Sequence, residues 1–211
     1  MKRALIAGLL SVAVYAGASA QTREWNFTVL LDGEPIGTHR FVLRDAEAGT
    51  RRLSSEAEFR VRLFGVAVYR YRHRAEEIWR GECLDSLGAD TDDGGDQTRV
   101  QLRAGPAGAF QLQGPQGSTQ LDGCLASFAY WNPALRRQSR LLNVQTGRIE
   151  QVQWQRVESA EIDVQGRPLK ATRWRLSGTE RPLDVWWADD VQWVGLDAMV
   201  RGNRRLSYRL Q

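Results

Sequence analysis

Between Ser54 and Trp79 the side chains alternate in kind almost without a break: SSEAEFRVRL, a short interruption, then AVYRYRHRAEEIW. A period of two is the mark of a β-strand with one face on a core and the other in water, and it does not suit a helix, whose faces repeat every 3.6 residues. In the second run Arg70, Arg72, Arg74 and Glu76 share one face, and Tyr69, Tyr71, His73, Ala75, Glu77 and Trp79 share the other. In the first run Glu56, Glu58, Arg60 and Arg62 oppose Phe59, Val61 and Leu63. Directly opposed residues of an antiparallel pair point to one face of the sheet. Matching the two apolar faces therefore requires an even sum of paired residue numbers, which a three-residue connection over Phe64, Gly65 and Val66 satisfies. That register sets Glu58 opposite Arg72 and Glu56 opposite Arg74. The arginines then read as a solvated, ion-paired outer face worth a few tenths to about 1 kcal/mol per pair, and the aromatic face looks inward.

The same alternation recurs along the chain. Trp25, Phe27 and Val29 lead to Asp32-Gly33, with Pro35 and Gly37 close behind, and Phe41 and Leu43 resume the pattern, which is the signature of a β-hairpin. Similar pairs of runs occur at TRVQLRAG and GAFQLQG, at RIEQVQWQRV and EIDVQGRPLKATRWRL, and at PLDVWWADDVQWVGLDAMV and RRLSYRL. Turn signals at this regular spacing predict an all-β fold, a curved antiparallel sheet forming a barrel or half-barrel. One segment interrupts the strands. In CLASFAYWNPALRRQSRLLNVQTG, Asn132-Pro133 can cap and start a short helical turn, so a helix or lid is expected near residues 127–140.

The N-terminus bounds the compartment. Lys2 and Arg3, an apolar run from Ala4 to Ala16, and the small residues Ala18, Ser19 and Ala20 form the pattern of a secretory signal peptide. Residues 1–20 are therefore expected to be removed, leaving 21–211 as one β domain in the periplasm. The run is too short for a membrane span and no later segment is long enough. Lys2 and Arg3 are two of 29 basic residues, so the remaining 27 stand against 25 acidic ones. With that balance and with its arginine pairs scattered, the chain lacks the clustered cations that phosphate binding needs, and nucleic acid is excluded as a partner. Cys83 and Cys124 are the only cysteines. In an exported chain a disulfide is the default reading, with a reactive thiol as its rival.

The inward face predicted for the second run gathers Tyr69, Tyr71 and Trp79 around His73 and Glu77. Burying either polar group unpartnered costs roughly 2 kcal/mol or more, so each needs a tyrosine, a water, the other polar group or a ligand. Together with Tyr130 and Trp131 of the interrupting segment, these residues form the candidate ligand-binding set. Eight tryptophans, at 25, 79, 131, 154, 174, 186, 187 and 193, could line the hollow of a curved sheet and hold an apolar ligand. Enzyme signals are sparse. His39 and His73 are the only histidines and are not at metal-ligand spacing, the acidic stretch DTDDGGDQ lacks the order of a calcium loop and reads as a hairpin turn, and neither a G-x-S-x-G nor a phosphate-binding loop is present. No cofactor or metal is expected.

Three segments, WNFTVLLDGEPIGTHRF, SFAYWNPALRRQSRLLNVQTG and LDVWWADDVQWVGLDAMVRGNRRLSYRL, together resemble an uncharacterised family of bacterial exported proteins. The resemblance spans almost all of the chain after residue 20 and carries no catalytic residue with it. The hairpin-rich close is also similar, at the level of fold alone, to the half-barrels of periplasmic lipid and lipoprotein carriers. The reading that follows is a non-enzymatic periplasmic protein that binds or carries a lipid-like ligand in an aromatic-lined concave sheet. Its rivals are an envelope hydrolase or isomerase acting through His73, Glu77 and a tyrosine, and an envelope scaffold that binds other proteins.

Overall fold

The structure, a computed structural model, describes residues 21–105 and 109–211. The predicted signal peptide, residues 1–20, lies outside the described residues, as do residues 106–108, between the TRVQLRAG run and Ala109 of the GAFQLQG run.

Period-two alternation becomes strand almost throughout. The first eight strands are β1 (Thr22–Leu31), β2 (Glu34–Asp45), β3 (Thr50–Leu63), β4 (Val66–Arg80), β5 (Cys83–Asp93), β6 (Asp96–Ala104), β7 (Phe110–Gly114) and β8 (Gly117–Leu121). Three short strands follow, β9 (Ala126–Ser127), β10 (Arg140–Leu142) and β11 (Ile149–Gln151), and then β12 (Gln153–Val164), β13 (Arg167–Ser177), β14 (Leu183–Ala188), β15 (Gln192–Val200) and β16 (Arg204–Leu210). Thirteen strands form one sheet in the order β12-β13-β14-β15-β16-β1-β2-β3-β4-β5-β6-β7-β8, so the first and last strands are neighbours in its middle. The pairs within it are antiparallel, and the edges β12 and β8 do not pair with each other. The predicted all-β fold is present, as a barrel left open. Among the described residues no helix is long and apolar enough to cross a membrane.

Turn chemistry sets the connections. Asp32 and Gly33 both take positive φ (54° and 88°), the conformation a two-residue hairpin loop needs. The β3–β4 connection is also a two-residue turn, Phe64-Gly65, and not the three-residue loop expected, because Leu63 pairs with Val66. A bulge between Val61 and Arg62 supplies the missing residue and restores the even register. Glu58 consequently faces Arg72 and Glu56 faces Arg74, with ion pairs at 3.8 and 3.6 Å on the outer face. The acidic stretch is the β5–β6 turn, closed by a bond from the Gly95 amide to the Asp92 carboxylate at 2.9 Å. The expected pairing of RIEQVQWQRV with EIDVQGRPLKATRWRL is corrected. β12 runs on through Val157–Ser159 with a bulge beyond Arg156, and the turn comes at Gln165-Gly166.

The interrupting segment is a plug on the concave face. It carries a small three-stranded sheet in the order β11-β10-β9 and a 3₁₀ turn, Pro133–Arg137, capped by the Asn132 side chain accepting from the Ala134 amide at 3.1 Å. The plug seals a core in which Leu125, Ala129, Trp131, Leu135, Leu141 and Leu142 meet Phe27, Leu53, Trp79, Trp187 and Trp193 of the sheet. Cys83 and Cys124 form a disulfide that ties its entry to β5. The Leu84 amide donates to Leu125 O at 2.7 Å beside that link. At the far side Arg136 lies 4.7 Å from the Trp174 ring and donates to the Asp190 backbone.

A second cluster occupies the opposite face. Trp186, Ala188 and Val194 pack there against Ile162 and Ala171, because the outer half of the β12–β13 hairpin folds over β14 and β15. A side chain at Gly195 would meet Ile162 Cδ1 at 2.7 Å, so glycine admits that approach. This explains why VWWA in β14 is apolar on both faces rather than alternating.

Candidate functional site

The row of paired residues His39, Ala57, His73 and Thr91 runs across β2, β3, β4 and β5 on the concave face. Ala57 lies between the two histidines, and its small side chain lets the imidazoles meet edge to face with centroids 6.3 Å apart. His39 Nε2 lies 2.8 Å from Ser55 Oγ, and its Nδ1 lies 3.3 Å from the Tyr208 hydroxyl. His73 Nδ1 lies 2.9 Å from Thr91 Oγ1. Burial, and then the neighbouring His73, hold His39 well below the ordinary imidazole value of 6.5. Burial takes His73 down to about 4, against the pull of Asp90. Both rings are therefore neutral near neutral pH.

Glu77 lies four residues further along β4, under the plug. Its Oε2 accepts from Trp79 Nε1 at 2.8 Å and from Ser127 Oγ at 2.9 Å, while Oε1 has no hydrogen-bond partner among the described residues. Burial raises its carboxyl from 4.5 to about 7, and the Ser127 and Trp79 donors only moderate that rise. Two donors fall short of offsetting full desolvation of a carboxylate. Glu77 is consequently poised between neutral and charged near pH 7.

These polar groups open into a cavity of about 790 Å³ between the plug and the sheet. Its walls include Phe41, Leu53, Phe128, Trp193, Leu196 and Leu206, and its polar lining includes His39, Ser55, His73, Glu77, Ser127 and Tyr208. The exposed rim runs through Gln145, Arg148, Gln151, Gly178 and Glu180. Burial pushes the Tyr130 and Tyr208 phenols up, so both stay protonated donors. Trp131 Nε1 is buried without a partner.

Of the candidate ligand-binding residues, His73, Glu77, Tyr130 and Trp131 line this cavity. Tyr69, Tyr71 and Trp79 are on the inward face but outside the lining. Trp79 is sealed beneath the plug, edge to face with Trp131 and bonded to Glu77. Tyr71 stacks on Phe59 at 5.0 Å in a separate cluster, and Tyr69 bonds Asp93 at the sheet's end. His39, Ser55, Ser127 and Tyr208 were missed. His39 and Phe41 share one face of β2, so parity applied to that strand selects them. Tyr208 reaches the site only because β16 pairs with β1, a long-range fact.

The Ser55–His39–Tyr208 chain sets a hydroxyl beside a neutral imidazole. Its Nδ1 meets a phenol instead of the carboxylate that orients and charges a catalytic histidine. No group of three or more His, Cys, Asp or Glu among the described residues is arranged to hold a metal. The arrangement suits hydrogen bonding to the polar end of a guest whose remainder lies on aromatic and aliphatic walls.

Fold and site thus define a β-barrel-like protein with an open sheet, an internal plug and a cavity of mixed aromatic, aliphatic and polar lining. Residues 27–211 match the family described as a domain of unknown function (DUF6134), and the chain belongs to that family. No curated protein matches the chain. Among solved structures it is similar to the crystal structure of a β-barrel-like protein of domain of unknown function DUF1849 from Brucella abortus. The TM-score is 0.60 at 7% identity, over 91% of this chain and 95% of that one. At that identity the likeness speaks to fold alone.

Proposed function

We propose that the protein is exported, with residues 1–20 as a removable signal peptide, and that it binds or carries a lipid-like, apolar or amphipathic ligand in the periplasm without acting as an enzyme. The observation that carries this reading is the cavity itself. Its volume of about 790 Å³ falls in the range of small-molecule sites, and it joins apolar and aromatic walls to polar groups in its interior and a polar, charged rim, an arrangement suited to an amphipathic guest. The ligand's apolar part lies along Phe41, Phe128, Trp193 and Leu206. Its polar end faces Glu77 Oε1, the neutral His73 ring and Trp131 Nε1, which lack other partners or meet the cavity. The disulfide fits an oxidising compartment.

Two measurements test this. Protein purified from its native compartment is extracted and its lipids identified by mass spectrometry, and delipidated protein is titrated with a fluorescent fatty-acyl probe. Wild type is expected to bind the probe, and Ala198→Trp, which fills the cavity from β15, is expected to lose most of that binding while keeping its far-ultraviolet circular dichroism and its cooperative unfolding. A ligand-free native protein that also ignores the probe removes the proposal.

A further inference from the structure

The β3–β4 hairpin outruns the sheet. The last pair between β2 and β3 is Gly37 with Phe59, and the last between β4 and β5 is Tyr71 with Asp93. Past these rows, among the described residues, a neighbouring strand reaches the hairpin's backbone through the Gly94 amide, which donates to Arg70 O at 2.8 Å. The remaining residues pair with one another alone, and at 3.3 Å per residue they project roughly 13 Å.

The tip has the wrong composition for a bare solvent loop. Phe64 is 98% exposed, Val66 65% and Val68 58%. Phe64 also takes φ +49°, a left-handed conformation that a bulky side chain adopts at a cost and that asparagine or glycine would take readily. The phenylalanine gains no burial that offsets this. Behind the tip the segment from Phe59 to Arg72 carries Arg60, Arg62, Arg70 and Arg72 and no acidic residue, and carboxylates enter only at its base, from Glu58, Asp92 and Asp93. Arg60 lies directly opposite Arg70, a like-charge pairing that weakens a ladder. Glu58 takes up Arg60, approaches Arg72 and also feels the charge of Arg70, while Arg62 and Arg70 form no ion pair within 4 Å among the described residues. Arg201, in the β15–β16 connection, lies close enough for its charge to act on Tyr69.

We infer that this hairpin is a membrane-docking element: the apolar tip enters the interface of an anionic bilayer while Arg62 and Arg70 meet its headgroups. An apolar insert ringed by cations is the pairing of signals that holds a soluble domain on such a surface. Charge selects the occupant. A second copy docked tip to tip would bring two arginine collars together, whereas anionic headgroups relieve the Arg60–Arg70 opposition. The element is separate from the cavity, so docking does not depend on what the cavity holds.

The test is cosedimentation of the purified protein with vesicles of equal parts phosphatidylglycerol and phosphatidylcholine, and with vesicles of phosphatidylcholine alone. Wild type is expected to partition onto the anionic vesicles and to be released by high salt. Phe64→Asp should weaken partitioning roughly tenfold or more, the loss of one inserted aromatic side chain, and Phe64→Leu should restore most of it. Arg62→Glu with Arg70→Glu should abolish the preference for anionic lipid. Ala198→Trp should dock normally. No partitioning by wild type, equal partitioning onto both vesicle types, or full retention by a folded Phe64→Asp overturns the inference. So does a dimer that Phe64→Asp dissociates without any vesicle binding.

Discussion

The two ends of β4 obey one pattern and meet opposite fates. At the plug end Trp79 is 0% exposed and holds a buried carboxylate, while at the free end Tyr69 keeps 38% of its surface in water and the tip beyond it is bare. Both tyrosine and tryptophan sit on the face that alternation assigns. The difference is the cover. Where the segment around Trp131 and Leu135 lies across the strand, the inward face becomes core, and where the hairpin runs past its neighbours only the edge of the β5–β6 turn meets it, through Asp93. Alternation therefore specifies a side, and burial is decided by what the rest of the chain lays against it.

The sharpest way to break this comparison is to empty the plug end. Trp79→Ala is expected to cost about 3–5 kcal/mol in urea unfolding, since it leaves a large cavity and strips Glu77 of a donor. Undoing the tether comes next: Cys83→Ser with Cys124→Ser should cost about 3–4 kcal/mol, read as a shift of the unfolding midpoint. A loss much smaller than that would mean that the plug is held by packing alone.

Glu77→Gln should have an effect that depends on pH. The folded-state carboxyl titrates at about 7 against an ordinary 4.5, so the native state holds the proton more tightly. Its favourable contribution, roughly 3 kcal/mol, is complete below about pH 4.5, declines as pH rises, and has gone above about 7. The glutamine variant is expected to equal or fall slightly below wild type at low pH and to exceed it by up to about 2–3 kcal/mol at about pH 8. His39 and His73 act in the opposite direction, because depressed imidazoles cost stability as pH falls below 6.5. Thermal unfolding across pH should therefore peak on the acid side of neutrality in wild type. A wild-type curve flat from acid to base would contradict the buried, ionisable reading of Glu77.

The smallest effect belongs to the free end. Phe64→Asp should change stability by no more than about 0.5 kcal/mol, as a substitution that removes no native contact. A larger loss would show that the tip supports the sheet after all.

Much of the fold was legible because a strand's period is two and local. The inward set Tyr69, Tyr71, His73, Glu77 and Trp79, and the facing pairs Glu58 with Arg72 and Glu56 with Arg74, follow from parity within a single hairpin. The turn itself was misread, since a two-residue loop with a bulge and a three-residue loop give the same parity. The site was half legible. His73, Glu77, Tyr130 and Trp131 carried a signal as polar or aromatic residues on predicted inward or interrupting segments, while Ser127 and Ser55 are ordinary in sequence and gain meaning only from Glu77 and His39 beside them. The double-sided burial of VWWA had a signal in its unbroken apolar run, but the element that covers its outer face comes from a different hairpin.

By itself the sequence determined most of the strands and their faces, because these depend on neighbours two residues apart, and it offered the Cys83–Cys124 bridge as a default that the structure bears out. Tertiary structure alone decided that β16 closes onto β1, that a small Ala57 lets two imidazoles meet across a strand, and that a plug leaves a cavity beside one buried carboxylate. Those outcomes depend on contacts between residues far apart in the chain, such as Phe27 with Leu210, and no local periodicity carries that information.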